Sequence, residues 1–188
     1  MYVSPATIAA AEVRYGAPRT STVSYEISPL EMVMIRSSQR DRRAHDVTVC
    51  VFNGARLAVI AKPSYPPDGY RVPGGALKPG EALDVGAARE AFEETGLTAT
   101  IERYLLRVQV AFTVGDDSLD WTTHVVSAST TDDLLDVRDS REIREARWST
   151  LEDLNGPIRQ VLLSTGRGLF RYRTDLHLWI ADAMSAPS

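Results

Sequence analysis

Apolar positions set the first divisions along the chain. From Asp46, the stretch DVTVCVF alternates Val47, Val49 and Val51 against Thr48 and Cys50, a period of two that predicts a β-strand. Asn53-Gly54 is a strong hairpin signal, and RLAVIA, residues 56–61, returns as the partner strand. The segment KPSYPPDGYRVPGG carries four prolines and predicts a turn-rich loop with a short extended piece at Tyr70–Val72. Residues Leu83–Thr95 predict a helix that Gly96 closes in a left-handed conformation. TATIERYLLRVQVAFT and LDWTTHVVSAS are two further strand candidates, joined at Gly115-Asp116-Asp117, and EARWS is a short one. LEDL and PIRQVLLST are helical in pattern, Gly166 breaks the chain, and RTDLHLWIADAM predicts a terminal helix.

The first 20 residues predict only a weak extension with an alanine-rich patch. Ser28 then stands as an N-cap, Pro29 suits the first helical position, and Glu31 completes a capping box, so a short helix is expected from about Pro29 to Arg36. The basic and polar run at 36–43 is expected to be a solvated connector. Three segments follow: an N-terminal extension with a short helix over 1–42, a core over 43–155, and a C-terminal helical segment of the same domain over 156–188. Strands on both sides of a central helix, with helices at the end, argue an α/β fold with a mixed sheet.

Composition narrows the function. With 188 residues, 44% of them hydrophobic, the chain suits one domain with a real core. A net charge of -4 gives no global pull on nucleic acid or an anionic membrane. Any polyanionic ligand must therefore be held by local charge or metal. No run is apolar and long enough to span a bilayer, and no signal peptide is evident. The single cysteine, Cys50, excludes an intrachain disulfide and a multi-cysteine metal site, which fits a cytoplasmic home.

The chemistry concentrates in GALKPGEALDVGAAREAFEETGL, residues 75–97. Glu90, Glu93 and Glu94 stand at i, i+3 and i+4, on one side of the helix. Like charges at these spacings repel, and the nearby helix C-terminus disfavours negative charge. Local rules are broken here unless something positive binds, and all-carboxylate ligation suits hard cations such as Mg2+ or Mn2+.

This segment resembles the Nudix hydrolase signature at every specified position: Gly75, Glu81, Arg89, Glu90, Ala91, Glu93, Glu94, Gly96 and Leu97. The resemblance implies a Nudix-type α/β/α sandwich with a mixed β-sheet, the box forming a loop-helix-loop. It implies that Gly75 (through its carbonyl), Glu90, Glu93 and Glu94 hold the metal. Glu90 would be a further ligand or the general base, and Arg89 would fix the carboxylate rotamers. Glu142, six residues before Trp148, is the alternative base. The implied reaction is hydrolysis of a pyrophosphate bond in a nucleoside diphosphate linked to another group, either ADP-ribose, a nucleotide sugar, a nucleoside triphosphate or a dinucleotide. A domain that senses such a ligand without cleaving it is the alternative; such domains usually carry a degraded box, and this one is whole.

Candidates for holding the nucleotide are Arg71, just before the box loop, and the aromatic residues Tyr65, Tyr70, Phe112 and Trp121. Arg167, Arg171 and Arg173 cluster late in the chain, with a substrate phosphate or a dimer contact as possible uses. His124 is expected to be structural. A homodimer is a further expectation, by analogy with other extended members of the resembling family.

Overall fold

The protein is described by a computed structural model covering residues 3–39 and 43–185. Its helices are α1 (Pro5–Tyr15), α2 (Pro29–Ser38), α3 (Leu83–Thr95), α4 (Leu151–Asn155), α5 (Pro157–Ser164) and α6 (Gly168–Ser185). Its strands are β1 (Arg19–Glu26), β2 (His45–Asn53), β3 (Arg56–Ala61), β4 (Gly74–Gly75), β5 (Thr100–Val114), β6 (Asp117–Ser129) and β7 (Glu145–Ser149). They form one mixed sheet in the order β1-β5-β6-β2-β3-β7, with β4 paired to β2. The β1/β5 and β2/β6 pairs are parallel, and the remaining pairs are antiparallel.

The helix boundaries follow local chemistry. At α2, Ser28 and Glu31 form the expected capping box, and the helix runs two residues past Arg36. At the end of α3, Gly96 takes φ 76° and ψ 0°, and a Cβ there would lie 2.5 Å from the Asp136 carbonyl oxygen. The β2–β3 turn is centred one residue later than the Asn-Gly signal suggests. Asn53 still pairs with Arg56, so the loop is Gly54-Ala55.

The structure completes or corrects the sequence expectations in three places. First, the strand expected from Asp46 is β2, and its residues 47–51 are buried on both faces. Val47, Val49 and Val51 pack in a core with Leu83, Ala87 and Ala91 of α3, while Cys50 belongs to a second core with Leu162 and Leu176 from α5 and α6. Helices therefore cover both faces, as in an α/β/α sandwich. Second, the segment expected as an extension with one short helix holds two helices and a strand. β1 pairs with β5 over eight positions, Arg19–Leu106 to Glu26–Thr113, and so enlarges the sheet. Its sequence, RTSTVSYE, has alternating burial but few apolar residues, which hides it from a hydrophobic pattern. Third, α6 begins at Gly168, five residues before the expected start. The connector expected at 36–43 falls partly outside the described residues.

Candidate active site

α3 places its acidic residues by period alone. Glu90 and Glu94 are buried, while the Glu93 side chain remains 45% exposed. Arg89 binds the set together. Its Nε and Nη2 donate to the two oxygens of Glu81 at 2.9 Å each, and its Nη1 donates to Glu90 at 2.8 Å and Glu93 at 3.0 Å. Nη2 also donates to the Ala76 carbonyl at 2.7 Å, tying the loop to the helix. Glu94 is held from the other side. Arg71 Nη2 donates to it at 3.0 Å and the Gly74 N–H at 2.7 Å.

Electrostatics follow from this packing. The hydrogen bonds from Arg89 hold Glu81 below the usual carboxylate range. Burial pushes the Glu90 carboxyl up; Arg89 offsets part of that, and Glu94 and Glu93 add to the rise. Four carboxylates, Glu81, Glu90, Glu93 and Glu94, face two guanidinium groups, Arg71 and Arg89. Two negative charges are left over, the amount one divalent cation neutralises. Gly75 adds a close approach. A Cβ at that position would lie 2.4 Å from Glu90 Oε2, so any larger residue would push this carboxylate away from the loop backbone. The donor set is hard oxygen throughout and fits Mg2+ or Mn2+. Among the described residues, no three such side chains converge on one point at metal-binding range, and Arg71 and Arg89 engage oxygens of Glu94, Glu90 and Glu93.

The loop bearing Glu142 docks beside this helix. The backbone N–H groups of Arg138 and Asp139 both donate to the Glu93 carbonyl at 3.1 Å. Glu142 itself is exposed and accepts from Lys62 Nζ at 3.3 Å. Among the described residues no hydrogen bond joins it to the three helix glutamates.

Beside the box loop lies a cavity of about 290 Å³. Arg71, Gly74 and Gly75 line it and also contact the carboxylates. Asp46, Phe112 and Trp121 enter from β2, β5 and β6. Met34, Ile35 and Ser38 come from α2; Arg167, Phe170, Tyr172 and Arg173 come from α6 and the residue before it. The Arg43 guanidinium sits 5.3 Å above the Trp121 ring, and Tyr65 packs edge-on against Phe170 at 4.8 Å. Asp46 Oδ1, Arg43 Nε and Arg173 Nη1 are buried polar atoms without a hydrogen-bond partner among the described residues. Such atoms are costly unless a ligand or water satisfies them.

The structure thus brings together Tyr65, Phe112, Trp121, Arg71, Arg167 and Arg173. It does not bring Tyr70 to the cavity. Tyr70 is buried, its hydroxyl donates to Glu145 at 2.8 Å, and Arg147 stacks 3.9 Å above its ring. Arg71 is not a surface charge: it is 4% exposed and committed to Glu94 and to the Val72 and Gly74 carbonyls. Arg171 is exposed and away from the cavity lining. His124 is buried between His45 and Tyr104, with burial pushing its pKa down to about 3, so it stays neutral. Arg43, Asp46, Phe170 and Tyr172 escaped the sequence reading. The basic and aromatic interleaving in RGLFRYR was the visible signal for Phe170 and Tyr172, but nothing local says which way that helix faces.

A model of the NUDIX domain matches residues 42–165, about two thirds of the chain. The chain belongs to the Nudix family. A curated relative, the 8-oxo-(d)GTP phosphatase of Mycolicibacterium smegmatis, is 44% identical over 69 residues, covering 37% of this chain and 21% of that protein. The match therefore spans about a fifth of the relative's length. Among solved structures, the MutT NUDIX hydrolase from Burkholderia pseudomallei is 19% identical, with 60% of this chain and 86% of that one covered at a TM-score of 0.46. A C. elegans Ap4A hydrolase complex is 18% identical, covering 76% and 98% at a TM-score of 0.46. Membership of the Nudix family rests on the matched segment. The mixed sheet between helical layers is the architecture the resemblance implies. Among the described residues, no helix is long and apolar enough to cross a membrane.

Proposed function

We propose that this Nudix protein is a divalent-metal-dependent hydrolase of a pyrophosphate bond in a nucleoside diphosphate linked to another group. The observation that carries this reading is the charge imbalance at α3, four carboxylates against two guanidinium groups, beside a cavity walled by aromatic and cationic side chains. Glu90, Glu93, Glu94 and the Gly75 carbonyl would hold Mg2+ or Mn2+. Bound there, the ion would neutralise phosphate charge and lower the pKa of the attacking water.

The chain's own residues do the rest. Arg89 fixes the rotamers of Glu81, Glu90 and Glu93, so the carboxylates are set before substrate arrives. Arg71 and the Gly74 N–H do the same for Glu94. Trp121, with Arg43 above it, offers a face for a base to stack on, and Asp46 and Arg173 offer an acceptor and a donor for its polar edge. The base that takes the water proton is Glu90 or Glu142. Burial raises Glu90 towards the range useful to a general base, and Glu142 stands on a loop bonded to the carbonyl of Glu93.

The test is a panel of ADP-ribose, nucleotide sugars, nucleoside triphosphates, dinucleotides and 8-oxo-(d)GTP, the last suggested by the curated relative's name. Turnover of one class with Mg2+ or Mn2+, abolished by EDTA, is the expected result. Tight binding without turnover under any metal condition would make the protein a sensor instead. A Glu142→Gln variant with unchanged kcat assigns the base to Glu90.

A further inference from the structure

The cavity wall formed by α2 and α6 lies outside the family-matched residues 42–165, so it is particular to the flanks of this chain. Among the side chains that join the two flanks, one is a buried carboxylate. Glu31 of α2 is 3% exposed, yet it is a carboxylate. Its Oε2 accepts from the Ser28 N–H and Oγ–H, both at 2.9 Å, which completes the α2 cap. Its Oε1 accepts from the Leu169 N–H at 3.1 Å, in the first turn of α6, and lies 3.4 Å from Arg167 Nε. Burial works against ionisation, but the bonds from Ser28 and Leu169, with Arg167 nearby, outweigh it and hold the carboxyl below its usual range. The corner is also tight in its backbone. A Cβ on Gly168 would lie 2.3 Å from the Glu26 carbonyl oxygen.

A cap alone needs neither burial nor a second helix, because an exposed glutamate completes a capping box equally well. The extra bonds reach towards Arg167. Its guanidinium carbon sits 4.3 Å from the Phe170 ring centroid, and Nη2 donates to Met34 Sδ at 4.0 Å, at the cavity lining. Glu31 therefore fixes one edge of Arg167, Met34 Sδ takes Nη2, and Nη1, without a hydrogen-bond partner among the described residues, is left for a ligand.

We propose that Glu31 is a positioning residue that clasps α2 to α6 and presents Arg167 to an anionic oxygen of the bound nucleotide, setting affinity without touching the ligand. This rests on the cavity being the nucleotide site of the proposed function.

The experiment uses the full chain and the variants Glu31→Gln, Arg167→Gln and the double. The probe is the panel nucleotide turned over fastest, with binding measured by calorimetry in EDTA to stop turnover; ADP serves if none is turned over. Loss of one charge-assisted contact should raise Kd and KM about tenfold in each single variant, with kcat nearly unchanged. The double variant should be no worse than Arg167→Gln, because Glu31 acts through that arginine. An unchanged Kd in either single variant, or additive losses in the double, would overturn the clasp. Should Glu31→Gln fail to fold, an unchanged Kd for Arg167→Gln alone overturns it, and so does a wild type that binds no probe. Absence of turnover across the whole panel removes the hydrolase reading and leaves the binding comparison standing.

Discussion

The carboxylate helix and the cavity wall sit side by side and share Arg71, Gly74 and Gly75, but they are built by opposite rules. The helix gathers its chemistry from one contiguous stretch of 23 residues, and most of its partners are a turn or a short loop away. The cavity collects Met34, Asp46, Phe112, Trp121 and Tyr172 from five separate elements. The first is a charge problem solved locally, and the second is a shape assembled by the whole fold. Substitutions in the two regions should therefore separate rate from affinity.

The largest expected effect is Glu93→Gln. The side chain is nearly half exposed and, among the described residues, its hydrogen bond is to Arg89, so the fold should survive while kcat falls roughly a thousandfold. Near-normal turnover, measured alongside an unchanged far-UV spectrum, would dissolve the contrast by removing the chemistry from the helix. Arg71→Met is next, and it probes the residue the two regions share. It leaves the buried Glu94 carboxylate without its ion-pair partner, a loss of about 3 kcal/mol. Tm should drop by roughly 6–12 °C. Added Mg2+ should restore part of that in a melting experiment, because a cation bound only by the folded state stabilises it.

Trp121→Ala tests the cavity wall alone. Loss of a stacking face should raise KM about tenfold with kcat little changed. A fall in kcat with KM constant would mean that the wall positions the reacting phosphate and that the two regions are not separable. The smallest effect concerns acid. The folded-state pKa of Glu31 is depressed, so its stabilising contribution is present above the unfolded pKa and is lost as pH falls through the folded value. Wild-type Tm should decline as the pH falls below about 4.3, the ordinary glutamate value, and Glu31→Gln should decline less over that range.

How much of this was legible in advance differs by region. The limits of α3, the αL cap at Gly96 and the capping box at Ser28 and Glu31 could all be read from residue order, because each is decided within four residues. Strand β1 could not. RTSTVSYE pairs in parallel with β5, Arg19 with Leu106, 87 residues away, and its stability comes from that partner instead of its own apolar content. Tyr70 and Trp121 looked alike as stacking candidates, yet one donates to Glu145 and the other lines the cavity. An aromatic ring in a sequence carries no direction.

The sequence by itself determined the family, the α/β class and the acidic face of α3, because helical period turns residue spacing directly into proximity. Only the tertiary structure decided what stands opposite that face. Arg71 is bound to Glu94 across 23 positions, Glu31 to Leu169 across 138, and the cavity exists because α2 and α6 close over the sheet together. Those contacts depend on how layers stack and chain ends return, and their long-range nature keeps them out of any local pattern.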